Sequence, residues 1–154
     1  MTRVAVFVAT VGYAGYFPIA PGTLGSLAGL LAYLVVWWSG SVAVEVGLIV
    51  VLFAVGIWAG TTAERFFGGI DPGPVVIDEV VGMLITLAFI PVGVSGALIG
   101  FVLFRIFDVI KPYPAGRFER LHGGLGVMAD DAMAAVYANI TLRLVLWAWP
   151  AWTA

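Results

Sequence analysis

The sequence predicts an all-α integral membrane protein of four to five membrane helices, preceded by an N-terminal interfacial or re-entrant helix. Three observations carry that expectation. Hydrophobic residues make up 62% of the 154 positions and charged residues only 10%. Mean hydropathy is +1.10. An average soluble domain is about 45–50% apolar and about 25% charged, so a water-soluble fold of this size has no room to hide this much apolar surface. The third observation is the recurrence of apolar runs near the roughly 20 residues that a spanning helix needs.

The opening run, "MTRVAVFVATVGYAGYFPIA", has Arg3 ahead of apolar residues, as a signal peptide would. Gly12, Gly15 and Pro18 interrupt it and no small-x-small cleavage site follows, which favours a buried or interfacial helix. Thr23–Trp38 is the first expected span and Val42–Phe67 the second. Asp78–Ile90, joined through Pro91 and Gly93 to Val94–Ile110, reads as a helical hairpin whose first arm is short enough to be tilted or buried. Gly126–Trp149 is the last span. Small residues four apart, at Gly25 and Gly29, Ala28 and Ala32, and Gly56 and Gly60, suit close helix packing, although glycine is also simply common in membrane helices. Trp37, Trp38, Trp147, Trp149 and Trp152 sit at segment ends, as an interfacial belt would. There is no repeat and no linker, so residues 1–154 are expected to form one domain.

Threading these helices back and forth sorts the charges. Arg65, Arg105, Lys111, Arg117 and Arg120 fall on one side; the other side has only Arg143, inside the last helix. The positive-inside rule makes the basic side cytoplasmic. Glu64, Asp71, Asp78, Glu79, Asp108, Glu119, Asp130 and Asp131 fall on that same side. Glu45 alone lies on the other, where it is expected to pair with Arg143.

Chemistry is therefore expected at one face. "DPGPVVIDEVVG" supplies Asp71, Asp78 and Glu79; "FRIFDVIKPYP" supplies Arg105, Asp108 and Lys111 at spacings of three; "GGLGVMADDAM" supplies Asp130 and Asp131. Six carboxylates with few balancing cations repel one another unless protons, Arg or Lys, or a hard divalent cation neutralise them. Mg²⁺, which prefers oxygen ligands, fits such a set. Cysteine is absent and there is one histidine, so soft-metal sites, disulfides and thiolate nucleophiles have no support. A net charge of −2 argues against nucleic acid as a partner.

The stretch "PIAPGTLGSLAG" resembles a phosphate-receiving turn, with Gly22 and Gly25 for close backbone approach and Thr23 and Ser26 for hydroxyls at a helix start. Thr23 as an ordinary N-cap explains it equally simply. The bland reading of Asp130–Asp131 and of Asp78–Glu79 is a pair of acidic helix starts. Against it, the Asp130–Asp131 doublet stands already inside an apolar run. Asp108 at a helix end opposes the dipole and asks for a partner. Arg105 and Lys111 double as positive-inside anchors. His122 reads as a polar loop residue, and Arg117, Glu119 and Arg120 as a solvated loop face.

Four blocks, "FPIAPGTLGSLAG", "DPGPVVIDEVVGM", "FRIFDVIKPYP" and "GGLGVMADDAMAAVYAN", together resemble the signature blocks of the phosphatidylglycerophosphatase A family. They occur in order from about Phe17 to Asn139. The resemblance implies a Mg²⁺-dependent membrane phosphatase at the cytoplasmic face of the bacterial inner membrane. It would remove the terminal phosphate of phosphatidylglycerophosphate to give phosphatidylglycerol. On the matching positions it implies Asp71, Asp78, Glu79, Asp108, Asp130 and Asp131 as metal ligands. Asp131, Asp130, Asp78 and Glu79 would be catalytic; Thr23, Gly25, Ser26, Arg105 and Lys111 would hold phosphate. Ala135 stands where the family pattern has glycine, and His122 where some members have lysine. The absence of a cysteine nucleophile, an Asp-x-Asp acceptor loop and a second histidine favours direct attack by water, with Asp130 or Asp131 as base. The competing readings are a divalent-cation or proton-coupled transporter, for which buried acids are also expected, and a phosphatase of another lipid phosphate.

Overall fold

The computed structural model describes residues 1–118 and 121–150. Glu119, Arg120 and Trp152, each singled out above, lie outside them. Among the described residues every regular element is helical: α1 (Thr2–Ala9), α2 (Pro21–Ser39), α3 (Val42–Phe67), α4 (Ile77–Leu87), α5 (Val94–Ile110), α6 (Ala115–Phe118) and α7 (Gly124–Ala148), with a 3₁₀ turn at Ala14–Tyr16. Two of these, α2 and α3, are long and apolar enough to cross a membrane. Helix α5 is shorter, at 17 residues, and α7 carries Asp130, Asp131 and Arg143 within its 25.

Helix α2 starts two residues earlier than expected because Pro21 takes a first-turn position, where its fixed φ and missing N–H cost nothing. It ends where Gly40 turns left-handed (φ 58°), and α3 ends the same way at Gly68 (φ 78°). The N-terminal segment forms α1, whose Ala5, Val6 and Ala9 are buried while Val4 and Phe7 on its other face are exposed. Its main packing partner is α3. Eight residues rise only about 12 Å, so α1 is too short to span.

Helix α4 is the centre of the fold. Nine of its eleven residues are buried, and it packs chiefly on α2 and α7. A helix apolar all round belongs inside. Gly25 and Gly29 of α2 make this contact possible: a Cβ on Gly29 would collide with Met83, and one on Gly25 would lie 2.8 Å from the Val76 carbonyl oxygen. Around α4 lie two apolar clusters. One gathers Tyr33, Met83, Leu84, Leu87, Phe104, Ala134, Ala138 and Leu142. The other gathers Ala9, Ala59, Ala63, Val80, Val81, Val127 and Met128. Ala135, the departure from the family pattern, is wholly buried in the first.

The expected helix to Ile90 stops at Leu87, and residues 88–93 are irregular. Polar side chains from two other helices satisfy this break. Glu45 Oε1 accepts the Phe89 N–H (3.0 Å). Asn139 Nδ2 donates to the carbonyls of Ile85, Thr86 and Ala88 at 3.0–3.2 Å. Arg143 Nη2 donates to Ala88 O (3.0 Å), and its Nε fixes Asn139 Oδ1 (2.9 Å). The expected Glu45–Arg143 ion pair is therefore corrected: the two meet the same break, one taking its N–H and the other its carbonyls. Around this end Trp37, Trp38, Trp147 and Trp149 are exposed.

Candidate active site

The opposite end of α4 carries Asp78 and Glu79 in its first turn. Asp131 reaches them from the second turn of α7. One carboxylate oxygen from each of Asp78, Glu79 and Asp131 lies within 4.8 Å of the other two. Asp78 and Asp131 are almost fully buried. Asp78 Oδ1, Glu79 Oε2 and Asp131 Oδ2 have no hydrogen-bond partner among the described residues. Buried carboxylate oxygens are normally paired, since leaving one bare costs at least about 1–3 kcal/mol and more when it is charged. Three carboxylates that bring an oxygen each within one ion's reach, and that each keep an oxygen without a partner, have the chemistry of a hard-cation seat.

The other three expected ligands reach cations of the chain. Arg105 Nη1 contacts Asp108 Oδ2 at 2.6 Å, one turn along α5, and stands 3.8 Å from Glu79 Oε1. Lys111 Nζ contacts Asp130 Oδ2 at 2.5 Å and lies 3.7 Å from Asp71 Oδ2. Asp108 and Asp130 nevertheless remain charge neighbours of Asp131, and Asp71 of Asp78. All six acids thus gather at one end, in two arrangements: a trio facing one another, and three members braced by Arg105 or Lys111.

Lys111 is placed by the end of α5. Pro112 stops the helix, and Lys111 closes it in a left-handed conformation (φ 45°). Asp71, its partner across the site, is also left-handed (φ 45°). Two non-glycine residues in this costly region facing one another suit a functional constraint. Burial by itself would lower the pKa of the Lys111 ammonium. The Asp130 carboxylate in contact with it, with Asp131 and Asp71 beyond, outweighs burial and raises it above the ordinary lysine value.

The glycine-rich start of α2 lies against this cluster, but its residues divide. A Cβ on Gly22 would crowd Glu79 and the Arg105 guanidinium, which puts the backbone turn beside both. Thr23 is half-buried in the first turn, its N–H bonded to Ala20 O (3.0 Å). It is not the N-cap; Ala20 is. Gly25 and Ser26 differ from expectation. Gly25 packs against Val76 and Glu79 of α4, and Ser26 is fully buried with its hydroxyl donating to Gly22 O at 2.9 Å. Tight helix–helix contact claims both, so neither presents itself to a ligand.

Two residues that matter to the site were not singled out in the sequence for what they do. Glu64, near the end of α3, accepts the Gly123 N–H at 2.7 Å and the Asp71 N–H at 3.4 Å. Thr61 accepts the Gly124 N–H at 2.8 Å. Together they cap α7 from another helix and tie the Asp71 loop to it. Their i, i+3 spacing on α3 was the available signal. His122 is exposed before α7, beside Thr61, Glu64 and Arg65. Arg117 stacks on exposed Tyr113.

Comparison with known proteins gives the chemistry a family. A profile described as Phosphatidylglycerophosphatase A matches residues 7–146. A phosphatidylglycerophosphatase A of Escherichia coli K12 is 37% identical over 147 residues, covering 91% of this chain and 83% of the relative. One from Haemophilus influenzae is 38% identical over 135 residues, covering 86% and 83%. A Bacteroides thetaiotaomicron protein with the provisional name phosphatidylinositol-3-phosphatase is 34% identical over 149 residues, covering 92% and 93%. No solved structure matches the chain. The match spans every helix that contributes to the acidic cluster, and the chain belongs to the phosphatidylglycerophosphatase A family.

Proposed function

We propose that this protein hydrolyses the terminal phosphate of phosphatidylglycerophosphate, releasing inorganic phosphate and phosphatidylglycerol. The observation that carries the reading is the convergence of the carboxylates of Asp78, Glu79 and Asp131, each with an unpartnered oxygen, beside two cations, Arg105 and Lys111. Phosphoryl transfer needs this combination: a site for a divalent cation and positive charge for the equatorial oxygens. Asp78, Glu79 and Asp131 would hold Mg²⁺, with Asp71, Asp108 and Asp130 around them. When bound, the ion supplies Lewis-acid charge to the phosphoryl group and acidifies water.

The chain's own residues do the rest. Arg105, steadied by Asp108, and Lys111, steadied by Asp130, face the phosphoryl oxygens. The α2 turn at Gly22 and Thr23 closes the site beside Arg105. Asp130 or Asp131, each with one oxygen that has no hydrogen-bond partner among the described residues, takes the proton of the attacking water. The water oxygen bonds to phosphorus, the bond to the lipid's glycerol oxygen breaks, and that oxygen leaves as an alcohol once protonated. We place four to five helices across the bacterial inner membrane with this end cytoplasmic, as the distribution of basic residues supports.

The test is phosphate release from phosphatidylglycerophosphate by purified protein in detergent with Mg²⁺. EDTA is expected to abolish turnover and added Mg²⁺ to restore it; turnover indifferent to both removes the metal from the proposal. The name of the Bacteroides relative favours a second reading, another lipid phosphate as substrate. Phosphatidylinositol 3-phosphate in a parallel arm decides between them by the larger kcat/KM. The transporter reading loses its support, because the acids gather at one end and the family is one of enzymes.

A further inference from the structure

Below the candidate site, between α2 and α5, lies an apolar groove of about 290 Å³. Leu30, Leu34 and Trp37 line one wall; Val94 and Leu98 line the other. Its floor is the irregular segment at Val92 and Gly93, held where Tyr33 Oη donates to Ile90 O (3.2 Å). The same two helices meet at the acidic cluster, where Gly22 of α2 adjoins the Arg105 guanidinium of α5.

Helical register joins the two places. On α2, Thr23, Leu27, Leu30, Leu34 and Trp37 recur at alternating steps of four and three, which is one face. On α5, Val94, Leu98, Phe101 and Arg105 do the same. Each stripe therefore begins at the site and ends in the groove. Leu30 is eight residues beyond Gly22, about 12 Å along the helix, and Leu34 about 18 Å. One leaflet of hydrocarbon is about 15 Å deep, half of a core of about 30 Å. The groove thus starts where the distal part of a leaflet-length chain would lie if its headgroup sat at the acids.

We propose that the α2–α5 groove receives the distal methylenes of one acyl chain of the substrate, a phosphate-headed glycerolipid. The proposal rests on the lipid-phosphatase reading and adds to it a determinant of chain length. The bilayer already solvates a lipid tail, so the groove supplies no hydrophobic driving force. What it supplies is alignment: a tail laid along the two stripes holds the headgroup in register with Arg105. A short-chain substrate never reaches the near end of the groove at Leu30 and gains nothing from it.

Two variants fill the groove, Leu34→Trp and Leu98→Trp. Both residues are about half exposed (55% and 54%), so neither substitution overfills a core. Val50→Trp, equally exposed on α3 and outside the groove, is the control. Dipalmitoyl and dihexanoyl phosphatidylglycerophosphate are compared. The groove variants are expected to lose roughly tenfold or more in kcat/KM on the long-chain substrate, as misaligned reactants do, and nothing on the short one. Equal losses on both substrates, or none on either, overturn the proposal. Absence of turnover by the wild type would instead sink the phosphatase reading. A long-chain phosphate-headed lipid with a diazirine at its acyl terminus then tests the groove alone. Labelling of α2 and α5 that Leu34→Trp abolishes supports it. Labelling spread over all helices, or unchanged when the phosphate is replaced by a hydroxyl, overturns it in favour of ordinary bilayer lipid.

Discussion

At the scale of single residues, the acidic end works by dividing equivalent groups into different duties. Six carboxylates of the same kind divide because, among the described residues, Arg105 and Lys111 are the cations in contact with them: Arg105 holds Asp108 closely and Glu79 more loosely, Lys111 holds Asp130 and Asp71, and Asp78 and Asp131 are left to each other. Among the described residues no cation contacts Asp131, and one of its oxygens is buried without a hydrogen-bond partner. Asp131→Asn keeps the shape and removes the charge, so it is expected to lower kcat by about 10²-fold or more, the scale of a lost proton acceptor or electrostatic group. Circular dichroism should be unchanged; near-normal turnover would remove Asp131 from the machinery. Lys111 behaves differently. Its raised pKa means that the ammonium stays charged through the ordinary lysine value of about 10.4, so at the alkaline end the contact with Asp130 fades only as pH climbs through the raised one. No loss of stability traceable to the lysine is expected as pH rises from about 7 to about 9. Lys111→Met strands the buried Asp130 charge and should cost about 3–5 kcal/mol, read as a lowered unfolding midpoint in detergent. In the variant the midpoint should rise again on acidification, as Asp130 takes a proton; a midpoint flat with pH would show that the contact carries no such weight.

At the scale of elements, the chain holds a short helix in a fixed place from both ends. Helix α4 presents Asp78 and Glu79 at its start, and its far end is gripped by Glu45, Asn139 and Arg143. Asn139 alone meets three carbonyls with one amide nitrogen. Asn139→Ala is expected to cost about 1–3 kcal/mol, the penalty for leaving the Thr86 carbonyl without a donor while Ile85 O keeps the Ala88 N–H and Ala88 O keeps Arg143. Because α4 is the lever that carries two of the acids, kcat should fall with the midpoint although Asn139 is at the opposite end of the helix from them. A lowered midpoint with full kcat would show that the latch is only structural. The contrast between α3 and α4 shows what the sequence could reveal. Val42–Phe67 is readable to the residue because local signals bound it, Ser41 before and Gly68 after. The end of α4 is not readable, because side chains 44 to 55 positions away set it. The same holds at the site. That the acids matter was legible, since charge inside an apolar run is expensive. Which acid pairs with Arg105 and which with Lys111 depends on the packing of α4, α5 and α7. Gly25 and Ser26 were open to two local readings, phosphate turn and packing seam; only the arrival of α4 against them selects the second.

At the scale of the whole molecule, polarity is arranged end to end rather than inside out. Leu31, Leu34, Val50, Val51, Leu98, Val102 and Leu144 are exposed along the flanks of α2, α3, α5 and α7. That is far more contiguous apolar surface than a soluble monomer shows. The acids, Arg105 and Lys111 crowd one end; exposed tryptophans ring the other. Such a molecule has one comfortable orientation in a bilayer, and it is testable without altering the site. The chain has no cysteine, so single cysteines report without background. Gly69, exposed in the loop that leads to Asp71, marks the acidic end, and Gly40, beside Trp37 and Trp38, marks the other. Neither glycine has a neighbour within 4 Å of an added Cβ, so space allows both cysteines, although Gly40 is left-handed and its substitution carries some backbone strain. With an impermeant maleimide on intact bacterial cells whose outer membrane has been permeabilised, Gly40→Cys should label and Gly69→Cys should not. In inverted inner-membrane vesicles the pattern should reverse. Retained lipid-phosphate hydrolysis in both variants shows that the labelled population is folded. The reverse pattern would place the acids outside and overturn the positive-inside argument. Labelling of both from one side would mean that α3, the helix between them, does not cross, and the expectation of four to five spans would fall with it.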